Sequence, residues 1–206
     1  MSGTIGRART AEVRRTTRET DVTVRLDLDG IGTADVRTGV GLYDHLWTSF
    51  AHHALVDLAV AATGDLEVDE HHTVEDVALV VGSALSQALG DRSGIRRFGD
   101  ASVPMDEAFA SAVVDCSGRP YAVLDLAFRG ERIGALSTQL IEHALEAFAR
   151  SAGLTLHLRA AGRNDHHVAE AAFKALALAV REATESDPRR SGIASTKGTL
   201  DPGSAT

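Results

Sequence analysis

The spacing His71-His72-x-x-Glu75 recurs as His166-His167-x-x-Glu170, and a chain that carries it twice is constrained to repeat a local fold. Each copy opens an apolar run of helical period. On a helix His71 and Glu75 are four apart and His72 and Glu75 three apart, so both pairs share a face. The adjacent imidazoles diverge by about 100°, which suits two metal ions better than one. A single copy reads equally well as a polar first turn with two solvated imidazoles. The recurrence weighs against that plainer reading.

The repeat extends beyond the motif. Asp44-His45 matches Glu142-His143, Phe50-Ala51 matches Phe148-Ala149 and Gly64 matches Gly162, all at an offset of 98. The His-His motifs match at 95, so three residues are missing after the second glycine. Residues 1–10 are expected to form a mobile arm, 11–92 the first half, 93–200 the second half and 201–206 a disordered tail. Within the first half, Val22, Val24, Leu26 and Leu28 alternate in a strand read from Val13 to Leu28. A partner strand at 33–38, a helix from Leu42 to Ala54, a strand from Val56 to Ala62 and a helix from Thr73 to near Gly90 follow. Residues 92–104 hold two features, Arg96-Arg97-Phe98-Gly99 and a turn at Pro104. In the second half, a strand at 110–114 turns through Ser117-Gly118-Arg119-Pro120 into a returning strand, Tyr121 to Phe128. A helix from Ser137 to Ala152, a strand from Leu154 to Arg159 and a helix ending near Thr184 complete it, the last capped by residues 162–165.

Composition excludes several classes. The formal net charge of −8 and 4% aromatic content argue against a nucleic-acid partner. No apolar run reaches the roughly 20 residues of a membrane span. The first twenty residues have charge but no apolar core, unlike a secretory signal. A single cysteine, Cys116, fits a reducing cytoplasm.

Nine histidines are the anomaly, and six of them belong to the repeat. His45, His71, His72, His143, His166 and His167, with Glu75 and Glu170, would supply three imidazoles and one carboxylate to each of two ions. Such a donor set suits Zn, Mn, Fe or Co better than Ca or Mg. An octahedral Mn(II) would keep two positions for a substrate nitrogen and water. The lack of thiolates argues against a structural zinc knot. His52 and His157 have no counterpart in the repeat and read as structural. Arg97, Arg119, Lys174 and the turn Ser195-Thr196-Lys197-Gly198 could converge on a phosphate. Taken singly, each is more commonly a solvated charge.

With these motifs the chain resembles the imidazoleglycerol-phosphate dehydratase family. The matching stretches are Arg18-Glu19-Thr20, Thr38-Gly39-Val40-Gly41 with Asp44-His45, Gly64-Asp65, and His71 to Asp76. They continue with Arg97-Phe98-Gly99, Pro104-Met105-Asp106-Glu107, Ser117 to Pro120, Glu142-His143, His166 to Glu170, Phe173-Lys174-Ala175 and Ser195 to Gly198. The resemblance implies a duplicated α/β fold of the ribosomal S5 domain 2-like class, each half a sheet with helices on one face. It also implies two Mn2+ per active site, with sites between subunits, and a homo-oligomer of twenty-four subunits built from trimers. The implied reaction removes water from imidazole glycerol phosphate to give imidazole acetol phosphate, through an imidazolate stabilised by both metals. On the same ground Glu19 is the expected acid/base, with Asp106 as a second. His53, Arg97, Arg119, Lys174, Ser195 and Lys197 are the expected substrate contacts. One metal is expected on His45, His72, Glu75 and His167, the other on His71, His143, His166 and Glu170.

The chain departs from the usual family pattern at Leu42-Tyr43, Leu46-Trp47, Ala54, Ala144-Leu145 and Ala194, none of them an expected ligand. Such changes leave room for a paralogue on a related imidazole phosphate. Two other classes compete: a metal-stapled assembly protein without this activity, and a di-metal phosphohydrolase.

Overall fold

Two copies of one β–β–β–α–β–α unit account for nearly every element of the computed structural model, which describes residues 8–200. The first comprises β1 (Thr10–Thr16), β2 (Thr20–Asp27), β3 (Ala34–Arg37), α1 (Gly41–Ala54), β4 (Asp57–Gly64) and α2 (His71–Leu89). The second comprises β5 (Phe98–Met105), β6 (Ala108–Asp115), β7 (Tyr121–Leu126), α3 (Thr138–Ala152), β10 (Thr155–Ala161) and α4 (Asp165–Thr184). Its one addition is a short hairpin before α3, β8 (Arg132–Ile133) and β9 (Leu136–Ser137). The strand orders β1-β2-β4-β3 and β5-β6-β10-β7 are the same topology twice. In each sheet one pair, β3 with β4 or β7 with β10, is parallel and the others antiparallel.

Several expectations are corrected. The strand read from Val13 to Leu28 is a hairpin, β1 and β2. Its turn has no Gly or Pro. Instead Thr17 Oγ1 accepts from the backbone N–H of Glu19 and Thr20, so the apolar alternation runs through without a visible break. Pro104, expected at a turn, lies within the strand of residues 98–105, where it fits because β5 is a sheet edge. β7 does not return alongside β6; β10 lies between them. Arg9 and Thr10, assigned to a mobile arm, are anchored. The Arg9 guanidinium grips the Asp29 carboxylate and donates to the Thr184 carbonyl at 2.5 Å. The rest of that arm (residues 1–7) and the tail 201–206 lie outside the described residues.

The helices pack between the two sheets. α1 and α2 cover the first sheet and α3 and α4 the second, while α1 meets α4 and α2 meets α3. Strand alternation turns Val22, Val24 and Leu26, and likewise Ala110, Ala112 and Val114, inward to full burial. On the opposite face of the second sheet Phe109, Val113, Tyr121 and Val123 stay exposed. Trp47 joins the helices, its ring 5.3–5.5 Å from those of Phe50, Phe148 and Phe173, all edge-on. Trp47→Ala is therefore expected to cost about 3–5 kcal/mol of stability, measured by denaturant unfolding of the metal-free protein.

Two glycines set the helix starts. A Cβ on Gly64 would lie 2.0 Å from Thr73 Oγ1, and one on Gly162 would lie 3.0 Å from Val168 Cγ2. Thr73 and Val168 each follow their His-His pair, so both strand ends press against the same turn of the motif helix. Alanine at either glycine should shift that turn.

Candidate metal centre

The helix pairs, not the halves, assemble the histidines. His45 from α1 meets His166 and Glu170 from α4, and His71 and Glu75 from α2 meet His143 from α3. In each group one donor atom per residue lies within 4.8 Å of the others. In the first, Glu170 Oε1 is 3.1 Å from His45 Nε2 and 2.8 Å from His166 Nε2, and the two rings stack at 5.8 Å. In the second, Glu75 lies 3.4 Å from His143 Nε2 and 3.9 Å from His71 Nε2. This grouping differs from the expected partition of ligands. Glu75 sits with His71 and His143, and His166 and Glu170 sit with His45. Helix pairing across the pseudo-twofold decides this, and spacing within one helix carries no information about it.

The donors fit a divalent ion. His143 Nε2 is buried without a hydrogen-bond partner, although Glu75 is 3.4 Å away, so a lone pair faces the group unused. Burial opposes ionisation of Glu170, but hydrogen bonds from Lys174, His45 and His166 outweigh it and hold the carboxyl at about 2. A carboxylate and imidazoles converging within bonding reach are a hard-to-borderline donor set of the kind Mn, Fe, Co or Zn accepts.

His72 and His167 belong to neither group. As the helical geometry predicts, each diverges from its neighbour, with the rings at 72° and 74°. His72 Nδ1 meets Asp65 at 3.0 Å, and His167 Nδ1 meets Glu107 at 2.8 Å. Asp65 raises the His72 pKa. Glu107 is held at about 2 by His167 and by backbone N–H groups of the 163–164 turn. Both carboxyls ionise below their usual value near 4.5 if Glu170 and Glu107 are taken together. Their stabilisation is thus complete above that value and lost as pH falls towards 2. Melting of the metal-free protein at successive pH values should drop over that window, with a smaller drop in Glu170→Gln.

The motif helices share one brace. Glu70 and Asp165 directly precede the two His-His pairs, and both reach the 129–137 segment. Asp165 accepts from the backbone N–H of Arg129 and Gly130 at 3.0 and 2.7 Å. Glu70 accepts from Ser137 N–H at 3.1 Å and from the Arg132 guanidinium at 2.6 Å. An acid at a helix start also complements the helix dipole.

Glu19 sits in the β1–β2 turn, half-exposed, with Oε2 3.8 Å from His72 Nδ1. Asp106 sits in the β5–β6 turn, largely exposed, 3.8 Å from His167 Nε2. The expected substrate contacts divide into two places. Arg97 clasps Asp115 at 2.7 and 3.0 Å and donates to the Ala194 carbonyl, which brings the Ser195-Lys197 turn beside it. Arg119 lies 3.9 Å from the same carboxylate. Lys174 instead joins the first metal group, 2.8 Å from Glu170. His53 is in its field: burial, then the charges of His52 and Lys174, lower its pKa. Among the described residues no hydrogen bond or ion pair links these two places. Sequence reasoning named no role for Asp65 or Glu107. The signal was present: Glu107 precedes β6 as Glu19 precedes β2, and both flank a His-His helix.

Fold and site together define a duplicated α/β protein with two equivalent imidazole–carboxylate groups, each able to hold a divalent ion. A family model described as imidazoleglycerol-phosphate dehydratase matches residues 38–180. The chain is 53% identical over 195 residues to the imidazoleglycerol-phosphate dehydratase of Gluconacetobacter diazotrophicus, covering 94% of this chain and 98% of that one. It is 52% identical to the chloroplastic enzyme of Pisum sativum, covering 93% of this chain and 69% of the other. The Staphylococcus aureus dehydratase crystal structure superposes with a TM-score of 0.78 at 33% identity, over 86% of this chain and 99% of that one. The Pyrococcus furiosus enzyme in complex with (S)-C348 gives 0.78 at 35%, over 91% and 99%. The chain belongs to the imidazoleglycerol-phosphate dehydratase family.

Proposed function

We propose that the chain removes water from imidazole glycerol phosphate to form imidazole acetol phosphate, a lyase step of histidine biosynthesis, with two Mn2+ per active site. The observation that carries this reading is the pair of three-donor groups, each one imidazole short of the expected set, beside two histidines that join neither. His45, His166 and Glu170 would hold one ion, and His71, Glu75 and His143 the other. His72 and His167 would complete the groups of neighbouring copies. Bound there, the ions would act as Lewis acids towards the substrate's ring nitrogens and stabilise developing negative charge.

The chain's own residues do the rest. Glu19, on a turn beside His72, takes the proton from the carbon one removed from the ring and passes it to the hydroxyl on the ring-attached carbon, which leaves as water. The enol that remains becomes the ketone by moving its O–H proton to the ring-attached carbon. Asp106 occupies the neighbouring position in the other half and is the second candidate. Arg97, held by Asp115, with Arg119, Ser195 and Lys197, binds the phosphate; His53 and Lys174 bind beside the first metal group. Fixing the phosphate fixes the reacting carbon relative to Glu19.

The catalytic form is a homo-oligomer, expected at twenty-four subunits built from trimers. The exposed apolar row Phe109, Val113, Tyr121 and Val123 supports contact between copies. The halves 11–92 and 93–200 descend from one duplicated unit. The net charge leaves nucleic acid aside as a partner, and no helix among the described residues is long and apolar enough to cross a membrane. Bacterial and archaeal relatives support a cytoplasmic enzyme. Purified protein supplied with Mn(II) and the substrate should form the dehydrated ketone phosphate. No turnover at any metal loading overturns the reading.

A further inference from the structure

His72 and His167 are the second members of their motifs, and each is excluded from the donor group of its own helix. Each instead directs Nδ1 into a carboxylate. The partners come from unlike positions, Asp65 just after β4 and Glu107 just before β6, so the duplication did not simply copy them. Two different routes reach the same contact.

The chemistry of that contact is specific. A carboxylate only accepts, so a neutral imidazole beside it carries its proton on Nδ1 and keeps the Nε2 lone pair free. Among the described residues neither Nε2 has a hydrogen-bond partner; the nearest acid, Asp106, is 3.8 Å from His167. We infer that Asp65 and Glu107 are positioning residues that lock His72 and His167 as Nε2 donors, so that each can complete a metal group on another copy of the chain.

This inference rests on the two-metal reading above. It follows that an imidazole free to rotate, or protonated on Nε2, ligates poorly. Loss of such an outer carboxylate weakens metal binding about 10- to 100-fold.

The two carboxylates answer differently to the same substitution. Among the described residues the side chain of Asp65 hydrogen-bonds only His72, through both oxygens at 3.0 and 3.2 Å. Asparagine there can rotate its carbonyl oxygen onto Nδ1 and keep the tautomer. Glu107 has no such freedom: Oε1 already accepts from the Arg163 and Asn164 N–H groups at 3.0 and 2.7 Å, leaving Oε2 for His167. Glutamine there must keep its oxygen on the backbone and turn its NH2 towards Nδ1. Two donors then face each other unless the histidine moves its proton to Nε2, which blocks the ligating atom.

The test is competition for Mn(II) between the full-length protein and a chelator of known affinity, with melting of the metal-free protein alongside. The parent is expected to hold two ions per chain. Asp65→Ala and Glu107→Gln should each weaken about half of the ions 10- to 100-fold, an effect larger than any accompanying loss of metal-free stability. Asp65→Asn should hold both as the parent does. Parental affinity in Asp65→Ala and Glu107→Gln overturns the inference and leaves the two-metal reading standing. So does weakened binding matched by an equal loss of metal-free stability, since that marks a purely structural role. A parent that binds no ion overturns the two-metal reading and this inference with it.

Discussion

Glu19→Gln is expected to lower kcat by about 10²- to 10⁴-fold, the usual share of a positioned general acid/base. The substitution keeps the shape of the side chain and removes its capacity to take a proton. Structural damage should be slight. Glu19 lies on an exposed turn held by Thr17 Oγ1 through backbone N–H groups, and among the described residues its carboxylate makes no hydrogen bond. Its nearest ring nitrogen, His72 Nδ1, is already bonded to Asp65, so the histidine keeps its orientation. Metal content and particle mass should therefore match the parent while turnover collapses. A metal-stapled assembly protein predicts no loss of any function, and a parental rate would move the proton transfer elsewhere. Asp106→Asn serves as the comparison. Its side chain is 77% exposed and lies 3.8 Å from its ion-pair partner His167 Nε2, so a smaller loss is expected.

The histidine motifs were legible because they depend only on helical period and on a repeat. Divergence of His71 from His72, and of His166 from His167, needs nothing but the turn angle of a helix, and the structure has it. The repeat likewise foretold equivalent halves. The pairing of the ligands was not legible. Glu75 finds His143, and Glu170 finds His45, because α2 packs on α3 and α1 on α4 across the pseudo-twofold. That is a tertiary choice with no trace in local spacing. The hairpin turn at residues 17–19 was hidden for a different reason: threonine hydroxyls close it where glycine or proline would have announced it. Pro104 misled in the opposite sense, because an edge strand tolerates a residue without an N–H.

Two of the departures from the family pattern have a structural account, one full and one partial. Trp47 fills the space among Phe50, Phe148 and Phe173, all fully or almost fully buried. It acts on packing behind the donor helices α1, α3 and α4, away from the metal groups. Ala194 is also accounted for in part, since its carbonyl accepts from Arg97 at 2.6 Å, a contact any residue can make through its backbone. Neither change removes a donor atom from the two imidazole–carboxylate groups.

Stripping the metals is expected to take turnover to background, and Mn(II) should restore it only as loading approaches two ions per chain. The argument is geometric. Each group within one chain supplies three donors, and His143 Nε2 in the second has no protein partner to satisfy it. On the proposed reading a neighbouring copy supplies the remaining imidazole, so the ions that would activate the substrate would also join subunits. Chelation should then shift the particle towards smaller species, and re-addition of Mn(II) should rebuild mass and activity together. Light scattering and activity followed through one titration distinguish the possibilities. If activity returned fully at one ion per chain, the second group would be structural. If mass stayed constant while activity disappeared, apolar contacts such as the Phe109–Tyr121 face would hold the assembly alone. The ions would then serve chemistry and not cohesion. Glu170→Gln sharpens the result, since it removes the carboxylate that binds His45, His166 and Lys174 together. It should abolish one class of ion and leave the His71–Glu75–His143 group able to load.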